Sequence, residues 1–115
     1  MKLEKIKLGK LAALVALTAC GGLAQAAPDS AKVQEILNKN GCLACHAVDK
    51  KIVGPAYQDV AAKHKGDADA AALLTKHIKE GSSGVWGPIP MPPHPKISDA
   101  DLKMVVEWVL AGAPK

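Results

Sequence analysis

Cys42-Leu43-Ala44-Cys45-His46 constrains this chain more than any other stretch, because C-x-x-C-H is the spacing at which a polypeptide becomes bonded to haem. Two thiols one turn apart can both add to vinyl groups on one edge of the macrocycle, and the adjacent imidazole then reaches the iron. A chain tethered in this way has to fold around a flat apolar plate. Two other chemistries also use paired cysteines. A dithiol redox motif wants strands alternating with helices around it, and β-branched alternating runs are scarce here. A zinc site needs two further ligands at short spacing; the chain has no second cysteine pair, and His64, His77 and His94 form no closely spaced pair. Covalent haem on Cys42 and Cys45, with His46 on the iron, is the expectation. A zinc or dithiol module is the alternative.

Residues 1–10 carry Lys2, Lys5, Lys7 and Lys10 against a single Glu4, and an apolar run from Leu11 to Ala19 follows. This reads as a secretory leader with a small-x-small cleavage pattern at Ala24-Gln25-Ala26. The division predicted is a cleaved signal peptide at 1–26 and a single domain at 27–115, exported to the periplasm. The apolar run is too short to stay in a bilayer as a permanent span. Leu17-Thr18-Ala19-Cys20 resembles a lipobox, so lipidation of Cys20 is the competing outcome and the only route to a membrane anchor. Beyond residue 26, eleven lysines face ten acids, a net charge of +1 against +4 for the whole sequence. Nucleic-acid binding has no electrostatic basis in so balanced a chain.

The domain has no Phe and only Tyr57, Trp86 and Trp108 as aromatic residues, a shortage that a buried macrocycle would repair. Its pattern is all-α. A first helix is predicted from about Ser30 to Asn40, capped by Asp29 or Ser30, with Val33, Ile36 and Leu37 on one face and Gly41 as the stop. A short helix is expected near Tyr57 to Lys65, after the Gly54-Pro55 turn and before Gly66. The next is capped by Asp67 or Asp69, sets Leu73, Leu74, His77 and Ile78 on one face, and ends at Gly81. The last opens at the capping-box pattern Ser98-Asp99-Ala100-Asp101 and carries Leu102, Val105, Val106, Val109 and Leu110 on one stripe. It is expected to pack on the first.

Between the last two helices, Gly87 to Pro95 holds five prolines, which fix φ and remove backbone donors. Such a stretch is commonly a linker or a polyproline recognition segment. Here it contains Met91, a thioether whose place is fixed by rigid neighbours, as a ligand on the far side of the iron requires. Met104, on the last helix, reads as packing.

Taken together, Gly41 to His46, Val53-Gly54-Pro55-Ala56-Tyr57, Gly84 to Pro93 and Glu107-Trp108-Val109-Leu110 resemble the small bacterial class I cytochromes c of the c-551/c-552 type, over the whole predicted domain. The resemblance implies the small class I cytochrome c fold, with three main helices and a short one around one covalently bound haem c. It implies iron ligation by His46 and Met91, a Pro55 carbonyl that accepts from His46, and a Trp86 indole that donates to a haem propionate. It also implies a one-electron carrier rather than an enzyme, acting on no small-molecule substrate. Such a carrier runs between a quinol-oxidising complex and a terminal reductase, oxidase or peroxidase. Contact would be transient and at the haem edge, by a monomer, with an apolar centre near Val85 and Ile89 and a rim from Lys50, Lys51 or Lys79. A gas-binding or peroxidase-like haem protein, with Met91 off the iron, is the rival. Two positions depart from the family pattern: His77 stands where several members have Arg, and His94 where they have Asn. An imidazole at 94 has three options: bonding the Met91 sulfur, facing solvent or competing for iron.

Overall fold

The computed structural model describes residues 27–115. The leader, with its cleavage pattern and Cys20, lies outside the described residues. Among those described, four α-helices and one 3₁₀ turn account for the regular structure: α1 Ser30–Lys39, the turn Cys42–Ala44, α2 Tyr57–Lys63, α3 Ala70–Glu80 and α4 Asp99–Leu110. None is long and apolar enough to cross a membrane. The all-α expectation therefore holds, with three main helices and a short one.

Each helix starts and stops for a local reason. Asp29 caps α1 by accepting from the Ala31 N–H at 2.9 Å, and Val33, Ile36 and Leu37 form its buried face. The α2 helix ends two residues before the expected Lys65. The chain leaves it through tighter bonds, from Lys65 N–H to the Ala62 carbonyl and from Asp67 N–H to the His64 carbonyl. Asp69 precedes α3 but makes no side-chain cap; Asp67 instead accepts from the Asp69 N–H at 2.9 Å. Leu73 does not share the buried face of α3 and is 39% exposed, whereas Ala70, Leu74 and the partly buried Ile78 follow the i, i+4 line toward the core. Consecutive leucines sit about 100° apart on a helix, so only one can centre that line. Ser98 caps α4 through the Asp101 N–H at 3.1 Å.

The central element is α4, which packs against α1, α2 and α3. It buries Leu102, Val105, Val106, Trp108 and Val109, with Leu110 only partly covered. The indole N–H of Trp108 donates to Ser30 Oγ at 3.2 Å and to the Pro114 carbonyl at 3.0 Å, while Ser30 Oγ donates to that same carbonyl at 2.8 Å. This knot ties the end of α4 to the start of α1. Met104 packs against the core from its edge, as the sequence suggested. The proline-rich segment forms no helix. Its Met91 makes an isolated antiparallel bridge with Ser82, closing residues 83–90 into a loop.

Candidate haem site

The Cys42–Ala44 turn follows α1 directly, so the rigid helix delivers the motif. His46 N–H bonds to the Cys42 carbonyl at 3.0 Å, which sets both thiols and the imidazole within one compact turn. The thiols are free and partly buried. Burial chiefly pushes the Cys42 thiol above its ordinary range; the adjacent Cys45 acts in the same direction and a backbone hydrogen bond against it.

His46 is held from two sides. Its Nδ1 lies 2.7 Å from the Pro55 carbonyl oxygen, an atom that can only accept. Nδ1 therefore carries the proton, and the lone pair of the ring is left on Nε2. The ring stacks on Tyr57 at 5.0 Å between centroids and 27° between planes, and Tyr57 meets Trp108 edge-on at 5.4 Å. Gly54 is packed so closely that a Cβ there would lie 2.7 Å from His46 Cε1. Only glycine lets the backbone pass this near the ring.

Met91 reaches the site by a different route. Its N–H donates to the Ser82 carbonyl at 2.8 Å and its carbonyl accepts from the Ser82 N–H at 3.1 Å. Gly81, with φ +79, leaves room for this bridge, since a Cβ would fall 2.7 Å from the Met91 carbonyl oxygen. The end of α3 thus fixes where the proline segment turns in.

These elements enclose a cavity of about 240 Å³ whose wall includes Cys45, His46, Leu74, Trp86, Met91 and Val106. A smaller space of about 70 Å³ shares the Cys45, His46, Ile78, Met91 and Pro92 walls and extends to Cys42, Tyr57 and His94. Cys42, Cys45, His46, Met91, Pro55 and Trp86, all singled out in the sequence, are therefore brought to one place. Met104 is not among the lining residues. Trp86 stands at the mouth, 40% exposed, with the Lys63 ammonium 4.4 Å from the centre of its ring and bonded to the Val85 carbonyl at 3.3 Å. Among the described residues its indole N–H has no acceptor. His77 also lines the larger cavity. Burial, then the charges of His64, Lys76 and Lys63, hold its pKa below the ordinary histidine value. Lys79, expected at a docking rim, pairs with the exposed Asp99 at 2.7 Å.

The walls fit a haem. They are mainly apolar, two thiols and an unprotonated imidazole nitrogen sit within one turn, and two fully buried polar atoms, Tyr57 Oη and His94 Nδ1, have no partner. Buried polar groups rarely stay unpaired. Burial, with lesser contributions from Cys42 and Cys45, keeps the Tyr57 phenol protonated far above its ordinary range. Gly54, Tyr57 and Lys63 received no role from the sequence. The available signals were that Gly54 and Tyr57 fall within the Val53 to Tyr57 stretch that carries the resemblance, and that Tyr57 is the only tyrosine of a chain without Phe.

Comparison with known proteins agrees with this geometry. The Cytochrome c family model matches residues 30–113. The chain is 52% identical to cytochrome c-552 of Nitrosomonas europaea over 103 residues, covering 90% of this chain and 92% of that one. It is 55% identical to cytochrome c-551 of Pseudomonas aeruginosa over 101 residues, covering 86% and 94%. The crystal structure of wild-type Nitrosomonas europaea cytochrome c552 superposes with a TM-score of 0.66 at 52% identity, covering 69% of this chain and 98% of that one. With its paired thiols, its polarised imidazole and these relatives, the chain belongs to the cytochrome c family, the electron carriers whose haem c is bonded covalently to the polypeptide.

Proposed function

We propose that this protein is a periplasmic one-electron carrier in which Cys42 and Cys45 bind the haem, His46 Nε2 ligates the iron on one side and Met91 Sδ on the other. The haem supplies the one-electron ferric/ferrous couple. The observation that carries the reading is that His46 and Met91 stand on the wall of one cavity, with Nδ1 of His46 committed to the Pro55 carbonyl. A histidine polarised in this way is a stronger donor, and a thioether opposite it raises the reduction potential. Were His46 and Met91 both to hold the iron, no position would be left for a substrate, which favours shuttling over catalysis and argues against the gas-binding or peroxidase-like rival.

Trp86 lines the cavity with its indole N–H unclaimed, which supports a role as donor to a haem propionate. Around the mouth, Ile52 and Ile89 are 53% and 62% exposed, with Val53 and Trp86 beside them. This apolar rim, bordered by Lys51, suits a small and transient contact with redox partners, by a monomer: a quinol-oxidising complex on one side and a terminal reductase, oxidase or peroxidase on the other. Residues 1–26 act as the export signal that leads to the periplasm.

Absorption spectra of the purified haem-loaded protein test the ligand set. The oxidised form is expected to show a sulfur-to-iron charge-transfer band, and the reduced form to resist carbon monoxide. Ready carbon monoxide binding, with no such band, would transfer the protein to the rival class.

A further inference from the structure

His94 is a titratable group in the cavity to which the reading above gives no work. Its backbone is fixed from several directions. It lies between Pro93 and Pro95, its N–H donates to the Ile78 carbonyl of α3 at 2.8 Å, and its carbonyl accepts from the Ile97 N–H at 3.4 Å. The imidazole is partly buried and lines the smaller space together with Cys42, Cys45, His46 and Met91. Its Nδ1 is fully buried and has no partner. Leaving such a nitrogen unpaired is costly, so a partner is to be sought within the space it lines. Of the other atoms on that wall, His46 Nδ1 is already committed to Pro55, the sulfurs of Cys42 and Cys45 are taken up by haem attachment, and Tyr57 Oη is itself unpartnered. The Met91 sulfur lines the same space, so the imidazole stands beside the atom that would hold the iron.

We propose that His94 is a reserve iron donor. Resting on the His46/Met91 reading, the inference is that when the Met91 thioether leaves the iron, the His94 imidazole takes that place. One iron–sulfur bond breaks and one iron–nitrogen bond forms. A neutral imidazole binds through its lone pair, so neither a proton nor an electron has to move. The short segment from Met91 through Pro92 and Pro93 keeps the second donor three residues from the first. The consequence is functional: a carrier that loses its sulfur ligand stays six-coordinate and closed to small molecules, instead of exposing an open iron.

The test uses the haem-loaded Met91→Ala protein beside Met91→Ala/His94→Ala and, as a control for the other imidazole on the cavity wall, Met91→Ala/His77→Ala. Met91→Ala and the His77 control are expected to give low-spin spectra of a bis-imidazole iron in both oxidation states. The His94 double variant is expected to be high-spin when reduced. If the imidazole is off the iron a tenth of the time or less, carbon monoxide binds Met91→Ala about tenfold or more weakly than the double variant. Equal spin states and equal carbon monoxide affinities in the single and His94 double variants overturn the proposal. Should Met91→Ala fail to load haem, the thioether can be displaced from wild-type ferric protein with mild denaturant. A bis-imidazole spectrum that persists in His94→Ala then overturns it equally. The charge-transfer band of untreated wild type keeps the two readings apart: its absence defeats the His46/Met91 assignment, whereas its presence with identical variants defeats only the role of His94.

Discussion

Replacing Gly54 by alanine adds one methyl group at the tightest point of the site. The new carbon would lie 2.7 Å from His46 Cε1, 3.1 Å from Nδ1 and 3.2 Å from Nε2. Non-bonded carbons prefer about 3.5–4.0 Å, so the ring would have to retreat by roughly 0.8 Å or more. It has little freedom to do so, because Nδ1 is tied to the Pro55 carbonyl at 2.7 Å and the ring rests on Tyr57. The backbone is equally committed, with Gly54 N–H bonded to the Cys45 carbonyl at 2.8 Å and the Gly54 carbonyl accepting from Ile52. Overpacking of this kind costs about 1–3 kcal/mol, and losing the Pro55 bond adds about 0.5–1.5 kcal/mol. For a domain of this size, about 4–8 °C per kcal/mol translates a loss near 2–4 kcal/mol into a fall in Tm of about 10–30 °C. Thermal unfolding of the haem-loaded protein, followed by circular dichroism, measures it. A second readout is the midpoint potential. An imidazole without its Pro55 partner is a weaker donor and stabilises ferric iron less, so the potential rises. A Gly54→Ala protein that melts within about 2 °C of wild type, with an unchanged potential, refutes the steric argument.

Trp108→Phe removes an indole N–H that bonds Ser30 Oγ and the Pro114 carbonyl; a loss of about 1–3 kcal/mol is expected, seen in the denaturant midpoint, with the visible spectrum unaltered. Lys63→Met removes the cation over Trp86 and the bond to Val85. Exposed contacts of this type are worth about 0.5–1 kcal/mol, so Tm barely moves while acrylamide quenching of Trp86 fluorescence increases, and Lys63→Arg restores protection. Protonated His77, on the cavity wall, favours electron uptake. Burial and the neighbouring charges of His64, Lys76 and Lys63 hold its pKa below 6.5, so the midpoint potential is expected to fall as pH rises through a window below that value. An identical pH profile in His77→Gln removes His77 as the cause.

The sequence was most legible where a local rule acts alone. Asp29 and Ser98 were readable as caps because an N-cap is decided by one side chain and a nearby N–H, and both make that bond. The haem motif was legible because its chemistry is written in consecutive residues. The stripe of α4 was readable from spacing, yet the part of Trp108 was not, since its acceptors lie on Ser30 and Pro114, which only the fold brings near. Leu73 shows the limit of periodicity: on an apolar run, the exact arc that faces the core is chosen by the helix it meets. Tyr57 and Gly54 were invisible as supports of His46 because their roles are a stacking distance and a missing methyl group. Spacing and composition can mark such residues, as they mark the lone tyrosine, but not the contacts they make.

Both ends of α2 touch the haem pocket. Tyr57, its first residue, lies against His46, and Lys63, its last, lies over Trp86. Six residue steps turn the helix through about 600°, so the two side chains leave it in directions about 120° apart, and seven residues span about 10 Å. This small helix is therefore a gauge between two separate parts of the pocket wall. Inserting or deleting one residue within it would rotate one end by about 100° against the other, and either the imidazole or the loop at the mouth would lose its support. Substitutions along the exposed side of α2 leave that gauge intact, whereas a change of length resets it.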